Sequence, residues 1–325
     1  MTIKSLTLKQ KSGLLSPLQS DTIYGHFCWR LLERSGEKAL ENFIKAYQTG
    51  KPVFLLSDAL IKTRDGIQFP KPLVYKKGNT PSNKAGKIVE FVSQKTLKEE
   101  SFLTLEMLED FIAGKEIRPR VQKTEKNCNK PKKKAVEQSL RVSVQIDRDT
   151  FTSAQSKLFS YKPVYSSAET RYVILIKVLD ESWFSELDCE SILKEVFTTG
   201  FGKKKSSGYG HFEIEEDASL FTDLTEPDDG NAFMVFGNFL PAVGDKVTPI
   251  GYNINTKIGR LGEEKSLEAN PFKNPIAFLT AGSCFQTELN KDFYGRITGD
   301  NEIGSSFGKA VQFGMPFFLR FKYQE

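Results

Sequence analysis

The sequence has 325 residues, a net charge of +5, 39 % hydrophobic and 12 % aromatic residues, with phenylalanine alone at 26 copies. This length and apolar content predict a folded protein with enough chain for two domains. No charged-then-apolar signal peptide is recognisable at the N-terminus, and every apolar run is too short for a membrane span. We therefore expect a cytoplasmic protein with no membrane partner.

Cysteine and histidine usage argues against several classes of site. The four cysteines are isolated and form no CxxC pair, which predicts reduced thiols and neither a disulfide framework nor a zinc site. Only two histidines occur, His26 and His211, so a histidine-rich metal centre or a Ser–His–Asp triad is disfavoured. We expect no metal and no cofactor.

The first part of the chain alternates strand and helix patterns. Alternation over Thr2–Lys9 predicts a strand, and Ser20 and Asp21 are good N-cap residues for a helix that ends near Gly36. A second helix is predicted to end before Gly50. The elements predicted next are a strand at Val53–Leu56, a helix at Thr104–Ala113, strands at Leu140–Ile146, Leu158–Tyr165 and Tyr172–Leu179, a helix at Cys189–Phe197 and a strand at His211–Glu215.

This order of elements predicts an α+β fold in which helices cover an antiparallel, ferredoxin-like sheet. After Glu226–Gly230 the helical periodicity fades, and Phe233–Leu240, Ile276–Phe285 and Val311–Phe321 look like strands. We place a domain boundary near residue 220. The N-terminal domain is then 1–220 and a β-rich domain is 221–325.

Positive charge is concentrated in one segment. Residues 115–134 hold nine Lys or Arg and two Glu, a local net charge of +7 that leaves the rest of the chain at −2. Such a concentration predicts a phosphate-binding surface, with a disordered and merely solubilising lysine loop as the alternative. Arg118 and Arg120 flank Pro119, which stiffens the stretch. The segment belongs to a basic insertion at about 76–138.

The run GFGKKKSSGYG, residues Gly200–Gly210, has four glycines and three consecutive lysines. Backbone N–H groups in such a turn, backed by lysine charge, predict a concave anion receptor, although an ordinary flexible turn is an equal alternative. The run matches neither a P-loop nor the dinucleotide fingerprint. Phe201 and Tyr209 either stack on unpaired bases or anchor the loop to the core.

Four further features are candidates. The helix start at Ser20–Thr22, with Gly25 beyond it, is either an anion site or an ordinary cap. Arg141 and Arg148 bracket a predicted strand on opposite faces. Asp147 either holds the neighbouring guanidinium or forms a weak surface pair. His26 is the only candidate general base, with core packing as its commoner role.

Several stretches, in this order and spacing, resemble the RAMP superfamily of CRISPR proteins, and within it the subunits that cap the 5′ end of the guide RNA in type III Csm effector complexes. The stretches are SDTIYGHFCW (Ser20–Trp29), FLLSDA to FPKPL (Phe54–Leu73), IDRDT to KLF (Ile146–Phe159), GFGKKKSSGYGHF (Gly200–Phe212), GRLG (Gly259–Gly262) and GSCF (Gly282–Phe285). The chain departs from the pattern at Ser143 and Val144, where a His-Asn pair is frequent, and at Phe151, where glycine is usual.

The resemblance implies two ferredoxin-like (RRM-like) domains, the second degenerate, and a non-catalytic scaffold for antiviral defence. It implies binding of the repeat-derived 5′ tag of a crRNA and contact with a large polymerase-type subunit and a backbone RAMP subunit. The residues that we expect to contact RNA are Ser20, Asp21, Thr22, Gly25, Arg118, Arg120, Arg141, Arg148, Gly200, Phe201, Gly202, Lys203, Lys204, Lys205, Ser206, Ser207, Gly208 and Tyr209.

Two alternative functions stay open from the sequence. One is a metal-independent endoribonuclease that processes the guide precursor, with His26 as the base. The other is a protein-interaction module whose basic loop contacts an acidic partner.

Overall fold

A computed structural model describes residues 2–74, 102–115, 117, 135–216, 226–267, 270–304 and 310–324. Most of the basic insertion, including Arg118 and Arg120, lies outside the described residues, as does the domain boundary expected near residue 220. Within the described ranges, no helix is both long enough and apolar enough to span a membrane.

The described chain is a mixed α/β protein with several antiparallel sheets. In chain order the strands are β1 (Thr2–Gln10), β2 (Phe54–Leu56), β3 (Leu60–Thr63), β4 (Gly66–Pro70), β5 (Phe102–Leu103), β6 (Val136–Gln138), β7 (Arg141–Ile146), β8 (Ser153–Tyr161), β9 (Val164–Ser166), β10 (Arg171–Val178), β11 (Phe212–Glu215), β12 (Ala232–Val235), β13 (Val247–Gly251), β14 (Ile254–Arg260), β15 (Phe272–Leu279), β16 (Cys284–Thr287), β17 (Arg296–Thr298), β18 (Gln312–Gly314) and β19 (Phe318–Phe321). The helices are α1 (Ser20–Gln48), α2 (Leu105–Ile112), α3 (Glu181–Glu186), α4 (Cys189–Thr198) and α5 (Asp300–Ile303).

The first helical segment agrees with the sequence in outline. Gly36 has φ 82 and ψ 176, so α1 consists of two helices that meet at this glycine, as predicted. Its N-cap is Gln19, and Ser20 is the first helical residue. Helix α2 is also confirmed, since Thr104 is its N-cap and accepts the Met107 N–H at 3.4 Å.

The largest sheet has the strand order β11-β1-β10-β3-β4-β5, and β2 pairs with the far end of β10. Successive residues of β10 point to opposite faces, and both faces are buried. Ile174 and Ile176 belong to the core formed with α1 and α4, whereas Val173 and Leu175 belong to a second core formed with α2 and with β12 and β19. The sheet is therefore covered on both sides.

The second half is β-rich, as expected, but its strands are shorter than the apolar runs that predicted them. Strand β12 ends at Val235, a turn at Gly282 (φ 89) separates β15 from β16, and the segment 315–317 separates β18 from β19. The predicted strand Leu158–Tyr165 is likewise divided, because Pro163 cannot donate to a ladder and β8 ends at Tyr161. The division into two ferredoxin-like domains stays a prediction.

One buried carboxylate joins the two halves of the chain. The Asp21 side chain, which is 0 % exposed, accepts Lys257 Nζ at 2.6 Å, Gln312 Nε2 at 2.6 Å and Asn238 Nδ2 at 2.8 Å. All three donors come from the β-rich half, and Asp21 is in the first turn of α1. This cluster fixes the start of α1 against the hairpin β14–β15.

Candidate nucleic-acid interface

The glycine- and lysine-rich loop, residues 199–211, runs from α4 to β11, and its backbone is held by the rest of the protein. The Gly202 N–H donates to His26 Nε2 at 3.1 Å, and the Lys203 N–H donates to Ser16 Oγ at 2.9 Å. The Phe201 N–H donates to the Gly210 carbonyl at 2.9 Å, and the Gly210 N–H donates to the Gly13 carbonyl at 2.9 Å. The loop is thus an ordered turn.

These bonds correct one expectation. The N–H groups of Ser207, Gly208 and Tyr209 donate to carbonyls within the loop, so seven N–H groups between residues 201 and 210 are used inside the protein. A receptor made of free backbone N–H groups is therefore wrong for these seven positions. The lysine side chains are the groups left to attract an anion, because Lys203 and Lys204 are exposed.

Phe201 anchors the loop. Its side chain is 0 % exposed, and its ring lies 4.7 Å from the His26 ring and 5.7 Å from the Phe197 ring between centroids. Of the two roles left open by the sequence, the structure favours anchoring, since a ring with no accessible surface cannot stack on a base. Tyr209 differs, because it is only half-buried.

The loop meets the hairpin β7–β8 and forms a surface that we call the aromatic–lysine platform. It consists of Arg141, Phe159, Tyr161, Lys204 and Tyr209. Lys204 Nζ lies 3.8 Å from the Tyr161 ring centroid and 4.9 Å from the Phe159 ring centroid, within cation–π range. The rings of Tyr161 and Tyr209 meet edge to face at 5.7 Å.

Strand register places the hairpin residues on one face. Arg141 is directly opposite Tyr161, and Ser143 is directly opposite Phe159, so all four side chains share that face. The Phe159 side chain is 46 % exposed. The platform therefore presents exposed aromatic surface next to cationic groups, the combination that binds single-stranded nucleic acid by stacking and charge.

Hydrogen bonds set which tyrosine of the platform holds its proton more tightly. The pKa of Tyr161 is lowered mainly by its hydrogen bond with the Ser143 hydroxyl, and further by the hydrogen bond with Tyr209 and by the nearby Lys204 charge. The hydrogen bond to Tyr161 raises the pKa of Tyr209. Tyr209 accordingly acts as the donor across the 3.4 Å that separates the two hydroxyl oxygens.

The helix start does not offer its side chains to a ligand. Ser20 and Asp21 are buried, and the Ser20 N–H donates to Asp58 Oδ1 at 2.8 Å. The Thr22 hydroxyl oxygen accepts Lys257 Nζ at 2.6 Å. The expected anion site at this terminus is therefore filled by the protein's own carboxylates and their partners. Gly25 is exposed, with open space where a Cβ would lie.

The two arginines that bracket β7 lie at opposite ends of the hairpin. Arg141 is on the platform, whereas Arg148 is exposed in the turn at the tip. Asp147 Oδ1 accepts the N–H groups of Asp149 and Thr150 at 2.9 and 3.1 Å, so this carboxylate shapes the turn. These hydrogen bonds lower the pKa of Asp147. Phe151 has φ 53, a backbone conformation that favours glycine.

His26 Nε2 accepts the Gly202 N–H, so this nitrogen holds the loop. Ser206 and Ser207 are exposed on the loop. No group of three or more potential metal ligands occurs in the described part of the chain.

The sequence alone did not identify Phe159 and Tyr161 as site residues. Their spacing of two on a predicted strand placed them on one face, but only the fold brings that face to Lys204.

No protein-family model and no curated protein matches the sequence. Solved structures do match its fold. A chain in the crystal structure of a Csm1–Csm4 cassette in complex with cA4 has a TM-score of 0.60 and 15 % identity, with 99 % of this chain and 100 % of that chain covered.

A chain in the crystal structure of a Csm3–Csm4 subcomplex in the type III-A CRISPR–Cas interference complex has a TM-score of 0.59 and 16 % identity, with 98 % of this chain and 100 % of that chain covered. Csm4 is the subunit common to the two assemblies. At this level of identity the likeness shows a shared fold over nearly the whole chain.

Proposed function

We propose that this chain is a non-catalytic RNA-binding subunit of a type III CRISPR effector complex and that it holds the 5′ repeat-derived tag of a crRNA. Two independent observations support this. The fold is that of chains found in Csm1–Csm4 and Csm3–Csm4 assemblies. The aromatic–lysine platform supplies stacking surface and cations, the chemistry that single-stranded RNA requires.

The same proposal includes partners and domain organisation. We infer that the chain joins a large polymerase-type subunit to a backbone RAMP subunit, since Csm4 is solved with Csm1 and with Csm3. The strand order β11-β1-β10-β2, with α1 after β1 and α4 after β10, supports a ferredoxin-like first domain. The β-rich second half is the degenerate counterpart.

The single observation that carries RNA binding is the position of Lys204 over the Tyr161 ring. A phosphate that approaches the platform meets this cation and the neighbouring Lys203, while an unpaired base can lie on the exposed Phe159 ring. Neighbouring bases of a short tag then bind with little dependence on their identity, because every base has a π face.

Replacing Lys203, Lys204 and Lys205 together by alanine is expected to weaken binding of a short tag RNA without unfolding the protein. Each lost phosphate contact removes about 0.7 from the slope of log affinity against log salt, so three contacts reduce that slope by about 2. The affinity and its salt dependence are measured by fluorescence anisotropy with a labelled eight-nucleotide RNA at several salt concentrations. The matched control replaces Lys38, Lys45 and Lys51, three exposed lysines of the α1 region, and removes the same charge. Equal slopes for both triple variants would contradict the proposal.

The non-catalytic part of the proposal is supported by the state of His26, whose Nε2 already accepts a backbone N–H. We expect the purified chain to leave repeat RNA intact in EDTA. Gel analysis of 5′-labelled repeat RNA tests this, with a His26→Ala variant beside the parent chain. Cleavage by the parent that disappears in the variant would establish the endoribonuclease alternative.

A further inference from the structure

A cavity of about 560 Å³ lies beside the glycine- and lysine-rich loop. Its walls are largely apolar and include Leu14 and Val164, whose backbones pair with each other. Ser16, which holds the Lys203 N–H, and Lys162, which follows the platform residue Tyr161, also line it. The volume is within the range of roughly 300–1,000 Å³ that small-molecule sites occupy, so it accommodates one nucleotide unit.

Asp58 supplies a carboxylate to this cavity. A carboxylate offers about four lone-pair sites. Among the described residues, the donors to this carboxylate are the Ser20 backbone N–H, at 2.8 Å from Oδ1, and the Ser20 hydroxyl, which use at most two of these sites. Asp58 thus retains capacity to accept hydrogen bonds from a ligand. Burial raises its pKa to about 7, with the Asp21 charge adding to the rise and Lys257 opposing it.

Tyr172 is a second polar residue that lines the cavity. It is only 6 % exposed; burial raises the pKa of its hydroxyl, and a hydrogen bond with Ser166 opposes this rise.

We propose that this cavity takes one unpaired nucleobase of the bound RNA and that Asp58 selects a base with an exocyclic amino group over uracil. The inference rests on the proposed function and adds base selectivity to it. An exocyclic amine donates a hydrogen bond to a carboxylate, whereas uracil presents the O4 carbonyl at that position, an acceptor that faces another acceptor. The cavity adjoins the platform through Ser16 and Lys162, so one strand reaches both.

The test compares labelled eight-nucleotide oligocytidine and oligouridine by fluorescence anisotropy at about pH 8, where the Asp58 carboxyl is ionised. The parent chain is expected to bind oligocytidine about tenfold more tightly. Asp58→Asn keeps a carbonyl oxygen for the Ser20 N–H but presents an amide N–H₂ to the cavity. We expect the ratio of the two affinities to fall to about one or to invert.

Two controls separate this inference from the proposed function. Asp65→Asn removes an exposed carboxylate elsewhere and leaves the ratio unchanged. The triple lysine variant weakens binding of both oligonucleotides and keeps their ratio. A parent ratio of about one, or a ratio unaffected by Asp58→Asn, overturns base selection while RNA binding stands. Failure of the parent chain to bind either oligonucleotide overturns both.

A second measurement needs no variant. Oligocytidine carrying one 5-iodocytidine is photo-cross-linked to the parent chain, and the attached peptide is identified by mass spectrometry. With the label moved through all eight positions, at least one cross-link is expected within residues 14–19 or 162–172. Cross-links found only outside these segments refute occupation of the cavity.

Discussion

Replacing Lys257 by alanine is expected to lower the free energy of unfolding by about 3 kcal/mol, the lower end of the cost of breaking a buried ion pair. Asp21 is 0 % exposed beside Lys257, so removal of this cation leaves a buried carboxylate without its charge partner. The two groups belong to different halves of the chain, so the loss acts on their junction. Urea denaturation followed by circular dichroism measures it.

The control for this prediction is Arg64→Ala, which breaks the surface pair of Arg64 with Glu169. Both of those side chains are more than half exposed, and such pairs contribute about 0–1 kcal/mol. Asp21→Asn in the Lys257→Ala background is expected to recover much of the loss, because it removes the uncompensated charge. Equal losses for Lys257→Ala and Arg64→Ala would show that the cluster does not join the two halves.

Gly210→Ala is the second large effect, with an expected loss of about 3 kcal/mol or more in the free energy of unfolding. A Cβ at this position would lie 2.0 Å from the Phe201 carbonyl oxygen, and Gly210 has φ 73. The backbone must move, which breaks the two hydrogen bonds that Gly210 forms with Phe201 and Gly13. Tag RNA affinity should fall about tenfold, because the move displaces Lys204 and Tyr209 from the platform.

Gly208→Ala is a matched control on the same loop. Gly208 also has positive φ, 84, but a Cβ there would meet no atom within 4 Å. Only the conformational cost of about 1–2 kcal/mol applies, and RNA affinity is expected to change little. Thermal unfolding and anisotropy on the two variants separate steric collision from backbone strain. If both variants lost affinity equally, the packing of Gly210 against Phe201 would not be the cause.

The position of His26 shows how the loop and the first helix depend on each other. The His26 ring packs on the buried Phe201, and His26 Nε2 accepts the Gly202 N–H, so α1 holds one part of the loop. Ser16 holds the loop at Lys203, because its Oγ accepts the Lys203 N–H. The backbone that carries the loop lysines is therefore held in place by α1 and by the segment that contains Ser16. A fixed backbone reduces the entropy lost when RNA binds.

The sequence alone predicted the bounds of several helices and the position of the glycine- and lysine-rich loop. The helix α2 lies within the predicted range Thr104–Ala113, Gly36 interrupts α1 as predicted, and α4 ends one residue beyond the predicted Cys189–Phe197. These features depend on residues within a few positions of one another, where periodicity and capping rules act. The glycine- and lysine-rich loop was found for the same reason.

Only the tertiary structure decided what those local features contact. Asp21 looked like a helix cap open to an anion, but its cation, Lys257, is 236 residues away. The sequence left Phe201 as either a stacking residue or an anchor, and the structure makes it a core anchor. Phe159 and Tyr161 were predicted only as strand residues, and they form part of the platform. Composition and spacing in one sequence carry no record of such distant pairs, because these contacts arise only when sheets and helices pack.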